Sequence, residues 1–165
     1  MADTTKPLVA ILMGSQSDWD VMHEAVKQLN DLGVPNEARV ISAHRATDAL
    51  LEFVAAAPGR GIEVFIAGAG MAAHLPGVIS AKTDLPVLGV PLKGGLLDGM
   101  DSLMAIVQMP GGVPVATFAV GKAGAKNAAL TAASILGLKY PAIKAAYRKF
   151  RADQTAKAVG NTVPA

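Results

Sequence analysis

The sequence predicts an α/β protein with a doubly wound parallel sheet of about five strands. Short runs of apolar, often β-branched residues alternate with segments whose apolar residues recur at helical spacing. Most of the short runs are apolar without interruption, which is typical of strands that helices cover on both faces. Because short loops connect the two kinds of segment, the alternation favours a single parallel sheet.

Five strands and six helices are expected. The first helix has the clearest pattern, because its apolar residues from Val21 to Leu32 share one face. Ser17 is its expected N-cap, and Gly33-Val34-Pro35 ends it. The strands are predicted at 8–13, 39–41, 62–67, 86–90 and 113–120. The helices are predicted near 18–32, 46–57, 74–83, 101–108, 123–136 and 141–159.

Length and composition restrict the class of protein. The 165 residues are expected to form one domain over 1–165, with a core at about 8–138. The chain contains no cysteine, which excludes disulfides, thiolate catalysis and cysteine-based zinc sites. The two longest stretches without Asp, Glu, Lys or Arg contain glycine and proline, so no membrane partner is expected. The N-terminus lacks a signal-peptide pattern, and a cytoplasmic location is expected.

Charge is unevenly distributed along the chain. Residues 1–138 contain nine Lys and Arg and twelve Asp and Glu, whereas 139–165 contain six and one. A basic tail can bind nucleic acid. The favoured interpretation is the solvated face of a terminal helix, because no aromatic residues are interleaved with the cations as a base-stacking surface would need. Ile143, Tyr147 and Phe150 share one face of this helix, and the cations lie elsewhere. No nucleic-acid partner is therefore expected, and this projecting C-terminal helix is predicted to pack on a neighbouring subunit.

Three polar loops directly follow predicted strands. The carboxyl ends of parallel strands lie at one edge of a sheet, which is where ligands bind in such folds. The first loop, Gly14-Ser15-Gln16-Ser17-Asp18, presents hydroxyls and amides at a helix N-terminus, which suits an anion such as phosphate. Asp18 suits sugar hydroxyls better than phosphate. Simple helix capping by Ser17 and Asp18 is an equal alternative for this loop.

The second loop contains Ser42-Ala43-His44-Arg45. His44 is the best candidate for acid–base chemistry, because imidazole titrates near neutral pH and can both donate and accept a proton. The neighbouring guanidinium of Arg45 is a permanent cation. Together the loops predict a site for a small anionic molecule.

The third loop, 68–77, begins Gly68-Ala69-Gly70-Met71-Ala72-Ala73 and matches G-x-G-x-x-A. This is a weak signal for dinucleotide binding, because the motif follows the third strand and no acidic residue ends the next one. The glycines are expected to let the backbone approach a ligand closely, with His74 at the mouth of the following helix. His44 and His74 could instead bind a metal, but no cluster with metal-ligand spacing accompanies them.

Six motifs occur in order along the chain: MGSQSDW (13–19), SAHR (42–45), AGAGMAAHLPG (67–77), PVLGVP (86–91), DSLMAIVQMPGGVPV (101–115) and GKAGAKNAA (121–129). Together they resemble those of the class I N5-carboxyaminoimidazole ribonucleotide mutases, a family of de novo purine synthesis. The resemblance implies a flavodoxin-like three-layer α/β/α sandwich and a homo-octamer without metal or organic cofactor. It also implies functional coupling to the enzyme that makes the substrate.

The implied reaction moves a carboxyl group from the exocyclic nitrogen of a ribonucleotide to C4 of its imidazole ring. His44 matches the family's general acid–base histidine, and Ser15, Asp18 and Arg45 match positions that bind the ribonucleotide. The other substrate-binding residues expected are Gly14, Ser17, Ser42, Gly70, His74 and Leu75.

One position departs from the family pattern, which usually has a second glycine where Met71 stands. We expect an ordinary φ angle at Met71 and retained activity. The Ala-His-Leu-Pro-Gly motif favours class I over the class II enzymes, which carboxylate aminoimidazole ribonucleotide directly with CO2 and lack it. A non-catalytic flavodoxin-like binding protein is a further alternative. A receiver-like signalling module is disfavoured, because Gly14 and Gly68 stand where such modules carry acidic residues.

Overall fold

A computed structural model describes residues 6–160 of the chain. Its strands are β1 (Val9–Met13), β2 (Asn36–Val40), β3 (Val64–Gly70), β4 (Val87–Leu92) and β5 (Ala116–Thr117). They form one parallel sheet in the order β2-β1-β3-β4-β5, which confirms the predicted sheet. Because β2 and β3 lie on opposite sides of β1, the loops that leave β1 and β3 diverge and open a crevice between them.

Helices cover both faces of the sheet. They are α1 (Trp19–Asp31), α2 (Thr47–Arg60), α3 (Leu75–Ser80), α4 (Met100–Val107), α5 (Lys122–Leu136) and α6 (Pro141–Val159). The buried residues of α1 and α5 pack on one face, and those of α2, α3 and α4 pack on the other. Helix α6 lies against α5. The three predicted layers are therefore present.

The two halves of the core follow from the alternation of side chains along β1. Val9, Ile11 and Met13 face α1 and α5, whereas Ala10 and Leu12 face α2 and α3. All five residues are buried, so the run is apolar without a break, as the sequence pattern indicated.

The two edge strands differ most from the prediction. β2 begins at Asn36 rather than 39, and none of its residues is fully buried, because only β1 pairs with it. β5 has two residues instead of the eight predicted at 113–120. Only Ala116 and Thr117 pair in register with β4, and Pro114 just before them has no N–H to donate. Apolar runs therefore located the central strands well and the edge strands poorly.

Several helix ends also differ. Ser17 is not the N-cap of the first helix: Ser15 caps a 3-10 turn at Gln16–Asp18, and Asp18 is the N-cap residue of α1 without a side-chain capping bond. α2 continues past residue 57 and through Pro58, and Gly61, with a φ of 99°, ends it. α3 is shorter than predicted. Within residues 6–160, no helix has both the length and the apolar composition that a membrane span requires.

Candidate active site

A cleft of about 480 Å³ opens at the carboxyl edge of the sheet, above β1 and β3. Its volume lies in the range of small-molecule sites. All ten residues that the sequence predicted for the site line this cleft: Gly14, Ser15, Ser17, Asp18, Ser42, His44, Arg45, Gly70, His74 and Leu75. The three predicted loops therefore meet in one place.

The first loop is held in shape by its own hydrogen bonds. The backbone N–H of Ser15 donates to Oδ2 of Asp18 at 3.0 Å, and the hydroxyl of Ser15 accepts from the backbone N–H of Ser17 at 3.3 Å. Burial raises the pKa of the Asp18 carboxyl, and hydrogen bonds from the backbone of Ser15 and Gly14 oppose that shift. Capping and ligand binding are thus compatible here, because the capped loop still presents two hydroxyls and a carboxylate to the cleft.

Arg45 connects the first two loops. Its Nη2 donates to the carbonyl oxygen of Gly14 at 3.3 Å, and its Nε donates to Oγ of Ser42 at 3.3 Å. These bonds hold the guanidinium beside the first loop, where Arg45 lines the cleft. Because the side chain has no carboxylate partner among the described ion pairs, its charge is available to an anion.

His44 and His74 come together from separate loops. Nε2 of His44 lies 2.7 Å from Nδ1 of His74, and the rings meet edge to face at 81°. One nitrogen must donate and the other accept, so the two facing nitrogens share a single proton. His74 precedes α3 without capping it through its side chain. The third histidine, His23, lies on α1 beside Trp19 and outside the cleft.

The expectation of an ordinary backbone at Met71 is wrong. Met71 has a φ of 55°, and Ala73 has a φ of 47°. Residues 70–73 form a tight turn, closed by a 2.9 Å hydrogen bond from the N–H of Ala73 to the carbonyl of Gly70. A positive φ at the second residue is typical of primed turns, where glycine is the favoured residue. The Met71 side chain is 64% exposed over the cleft.

The two glycines of the weak dinucleotide motif serve packing within the fold. A Cβ on Gly68 would lie 2.3 Å from Sδ of Met22, so Gly68 admits α1 rather than a ligand. A Cβ on Gly70 would lie 3.3 Å from the carbonyl oxygens of Leu92 and Lys93, although Gly70 also lines the cleft. Among residues 6–160, His, Cys, Asp and Glu side chains form no group of three that could hold a metal.

Sequence reasoning missed Lys93 and Gly94, which line the far side of the cleft. Lys93 directly follows β4, and its Nζ forms an ion pair with Oδ2 of Asp98 at 2.7 Å. The signal was present, because Lys93-Gly94-Gly95 stands after an apolar strand in the same way as the other three loops. The site is therefore built from the ends of four neighbouring strands.

Fold and cleft together define a flavodoxin-like α/β protein with a polar small-ligand site at the point where the strand order reverses. The chain belongs to the AIR carboxylase family, whose family model matches residues 8–157. The family resemblance inferred from the six motifs is thereby confirmed.

Individual relatives agree with this membership. The chain is 56% identical over 157 residues to the N5-carboxyaminoimidazole ribonucleotide mutase of Pseudomonas aeruginosa, covering 95% of this chain and 96% of that one. It is 60% identical over 131 residues to the enzyme of the same name from Bacillus subtilis, covering 79% and 81%. The crystal structure of Treponema denticola PurE is similar with a TM-score of 0.85 and 25% identity, covering 93% of this chain and 95% of that one.

Proposed function

We propose that this chain is an isomerase of purine biosynthesis that converts N5-carboxyaminoimidazole ribonucleotide into 4-carboxy-5-aminoimidazole ribonucleotide. Relatives that are more than half identical over most of their length carry the name of this activity. The observation that carries the proposal is the cleft itself, in which an imidazole pair, a guanidinium and a carboxylate face one volume. These are the groups that an anionic ribonucleotide and a proton-transfer reaction require.

The ribonucleotide would bind with its phosphate at the first two loops. Arg45 offers a charge-assisted donor, and the hydroxyls of Ser15, Ser17 and Ser42 offer neutral donors around it. When ionised, Asp18 can accept hydrogen bonds but not donate them, which suits hydroxyl donors rather than a phosphate, so we assign it to the ribose hydroxyls. This arrangement directs the imidazole ring of the substrate toward the middle of the cleft.

His44 would move the protons of the reaction. When the bond between the exocyclic nitrogen and the carboxyl carbon breaks, CO2 leaves and the nitrogen takes a proton. C4 of the ring then attacks CO2, and its own proton leaves. The two steps balance, so one histidine that first donates and then accepts is sufficient. The hydrogen bond to His74 holds one nitrogen of His44 and leaves the other for exchange with the substrate.

Retention of CO2 accounts for much of the expected rate. A CO2 molecule held beside C4 has a very high effective concentration, whereas one that escapes is lost to bulk water. The turn at residues 70–73 and the following Leu75 line the cleft, and Met71 in this turn is exposed. We assign to this segment the role of closing over the imidazole and the migrating carboxyl group.

Turnover with freshly prepared N5-carboxyaminoimidazole ribonucleotide, without ATP, metal or added hydrogencarbonate, tests the proposal. The absorbance of the 4-carboxylated isomer should rise at once. The direct carboxylation of class II is tested in parallel with aminoimidazole ribonucleotide and hydrogencarbonate. Turnover of aminoimidazole ribonucleotide with hydrogencarbonate, but not of N5-carboxyaminoimidazole ribonucleotide, would establish class II. If the folded protein turned over neither substrate, a binding protein would be favoured.

Two substitutions test the residue roles. His44→Asn should bind the ribonucleotide almost normally and lose turnover by about 10²–10⁴-fold, because the acid–base group is absent. His23→Asn on α1 is its matched control and should retain turnover. Arg45→Ala should chiefly raise KM, with the exposed Arg39 as the matched position for a control alanine. Normal turnover by His44→Asn, or an unchanged KM for Arg45→Ala, would contradict the assignment.

We further propose a homo-octamer in the cytoplasm that is functionally coupled to the enzyme that makes the substrate. Of the nineteen residues of α6, all of them described, Ile143 alone is buried, so most of this helix is free to pack on a neighbouring subunit. Coupling follows from the chemistry, since an N-carboxylate decomposes in water. Sedimentation equilibrium tests the assembly, and a monomer at micromolar concentration would contradict it.

A further inference from the structure

Lys93 stands on the side of the cleft opposite Arg45. The guanidinium of Arg45 lies at the end of β1, where its Nη2 contacts the carbonyl of Gly14, and Lys93 follows β4. Two strand spacings of about 4.8 Å separate β1 from β4, or roughly 10 Å along the sheet. The His44–His74 contact joins the loops after β2 and β3, the two strands that flank β1, and both rings line the same cleft as Lys93. A ribonucleotide that lies across the cleft with its phosphate at Arg45 therefore extends its ring toward Lys93.

The charges of the cleft match the charges of the proposed substrate. Among the residues that line the cleft, Arg45 and Lys93 are the two with permanently cationic side chains at neutral pH. N5-carboxyaminoimidazole ribonucleotide carries two anionic groups at opposite ends, a phosphate and a carboxylate. Because the phosphate is assigned to Arg45, Lys93 is the cationic side chain that remains for the carboxylate of the substrate.

The present partner of Lys93 is held weakly. Both members of the Lys93–Asp98 ion pair are exposed, at 63% and 76%, and such pairs contribute little in water. Asp98 has a φ of 49°, and Gly94 and Gly99 on either side have φ values of 130° and 99°. Asp98 therefore lies in a loop, residues 94–99, that has a flexible glycine near each end. Rotation of the backbone at these glycines can move the Asp98 carboxylate away from Lys93.

We propose that Lys93 is a further substrate-binding residue, which exchanges the carboxylate of Asp98 for the migrating carboxylate of the substrate. Asp98 is then an internal competitor that neutralises Lys93 in the empty cleft. This inference rests on the proposed function, because it takes the carboxylated ribonucleotide as the ligand. Lys93 would hold the carboxylate near C4 before and after migration and would contribute to binding in both ground states.

Substitution of Lys93 and substitution of Asp98 should change KM in opposite directions. Lys93→Gln should raise KM for N5-carboxyaminoimidazole ribonucleotide about ten- to hundredfold, because a charge-assisted contact is lost. Asp98→Asn should lower KM about two- to fivefold, because the competitor is neutralised. If the pair served only to shape the loop, both variants would change KM in the same direction. Lys149→Gln is the matched control, since Lys149 and Asp153 form an equally exposed pair on α6 outside the cleft.

Calorimetric binding of two ribonucleotides identifies the group that Lys93 holds. Lys93→Gln should weaken the affinity for 4-carboxy-5-aminoimidazole ribonucleotide and leave that for 5-aminoimidazole ribonucleotide, which lacks the carboxylate, unchanged. Equal weakening for both ligands would overturn the assignment to the carboxylate. If the wild-type chain turns over the substrate but both variants match it, the role of Lys93 is refuted and the proposed function stands. If the wild-type chain shows no turnover, it is the proposed function that fails.

Discussion

The protein should be more stable with glycine at position 71 than with alanine. This reverses the usual order, in which alanine is the more stabilising of the two residues. Met71 has a φ of 55° in the turn 70–73, where a Cβ lies close to the neighbouring backbone. A left-handed conformation costs an L-residue about 1–2 kcal/mol. Glycine avoids this cost but loses about 0.5–1 kcal/mol more than alanine in conformational entropy on folding. The difference leaves Met71→Gly more stable than Met71→Ala by about 0.5–1 kcal/mol.

Comparison of the two variants removes the contribution of the methionine side chain. Both lose the same thioether, which is 64% exposed and packs little. For a domain of this size, the expected difference in Tm is about 1–4 °C. Scanning calorimetry at one protein concentration measures it, because assembly would make Tm depend on concentration. The turn would keep its shape in Met71→Gly, and we expect that variant to retain turnover.

Gly59 is a control position for the comparison at residue 71, because there alanine should be more stabilising than glycine. It lies in the last turn of α2, and a Cβ there would meet nothing within 4 Å. Gly59→Ala should therefore stabilise the protein by about 0.5–1 kcal/mol, because a helical backbone favours alanine. If Met71→Ala equals or exceeds Met71→Gly in Tm while Gly59→Ala behaves as expected, the strain assigned to the turn does not exist.

Three further substitutions test the packing and electrostatics of the fold. Gln28→Leu should stabilise the protein by about 1 kcal/mol in guanidinium unfolding, because the buried Nε2 of Gln28 has no hydrogen-bond partner within the described chain; a loss of stability would contradict this. Ser102→Ala should cost about 1–3 kcal/mol in urea unfolding, because the single proton of the buried hydroxyl is shared between the carbonyls of Leu92 and Gly99. Unchanged stability would refute that role. Burial alone would raise the pKa of Glu63, but hydrogen bonds from neighbouring Lys and Tyr side chains outweigh it and hold the pKa below 4.5. The wild-type protein should therefore lose stability as the pH falls from about 4.5 through this lowered pKa. Glu63→Gln should lose less stability over pH 3–6, and an equal pH dependence of the unfolding free energy in the two proteins would contradict the role of Glu63.

The accuracy of the sequence-based fold depended on how each strand is buried. β1 and β4 are covered on both faces, so every residue is apolar and the runs are visible without further information. β2 and β5 lie at the edges of the sheet, where one side of each strand has no strand partner. Their residues need not be apolar, and the sequence misplaced the start of β2 and the length of β5.

The sequence by itself determined the central sheet and the edge at which the site lies. This follows because parallel strands all present their carboxyl ends on the same side, so any polar loop after an apolar run lies there. Ser15, Asp18, His44, Arg45 and His74 could be found in this way. Lys93 could have been found by the same rule.

Only the tertiary structure decided how these groups pair and which backbone angles they adopt. The 2.7 Å contact between His44 and His74 joins residues thirty positions apart, and it depends on how two loops pack rather than on either loop's sequence. The φ of Met71 is imposed by a turn between a buried strand and α3, which leaves the backbone no ordinary conformation at that residue. Local preferences differ by about 1 kcal/mol, whereas burial of the surrounding core contributes far more, so the packing overrides the preference of methionine.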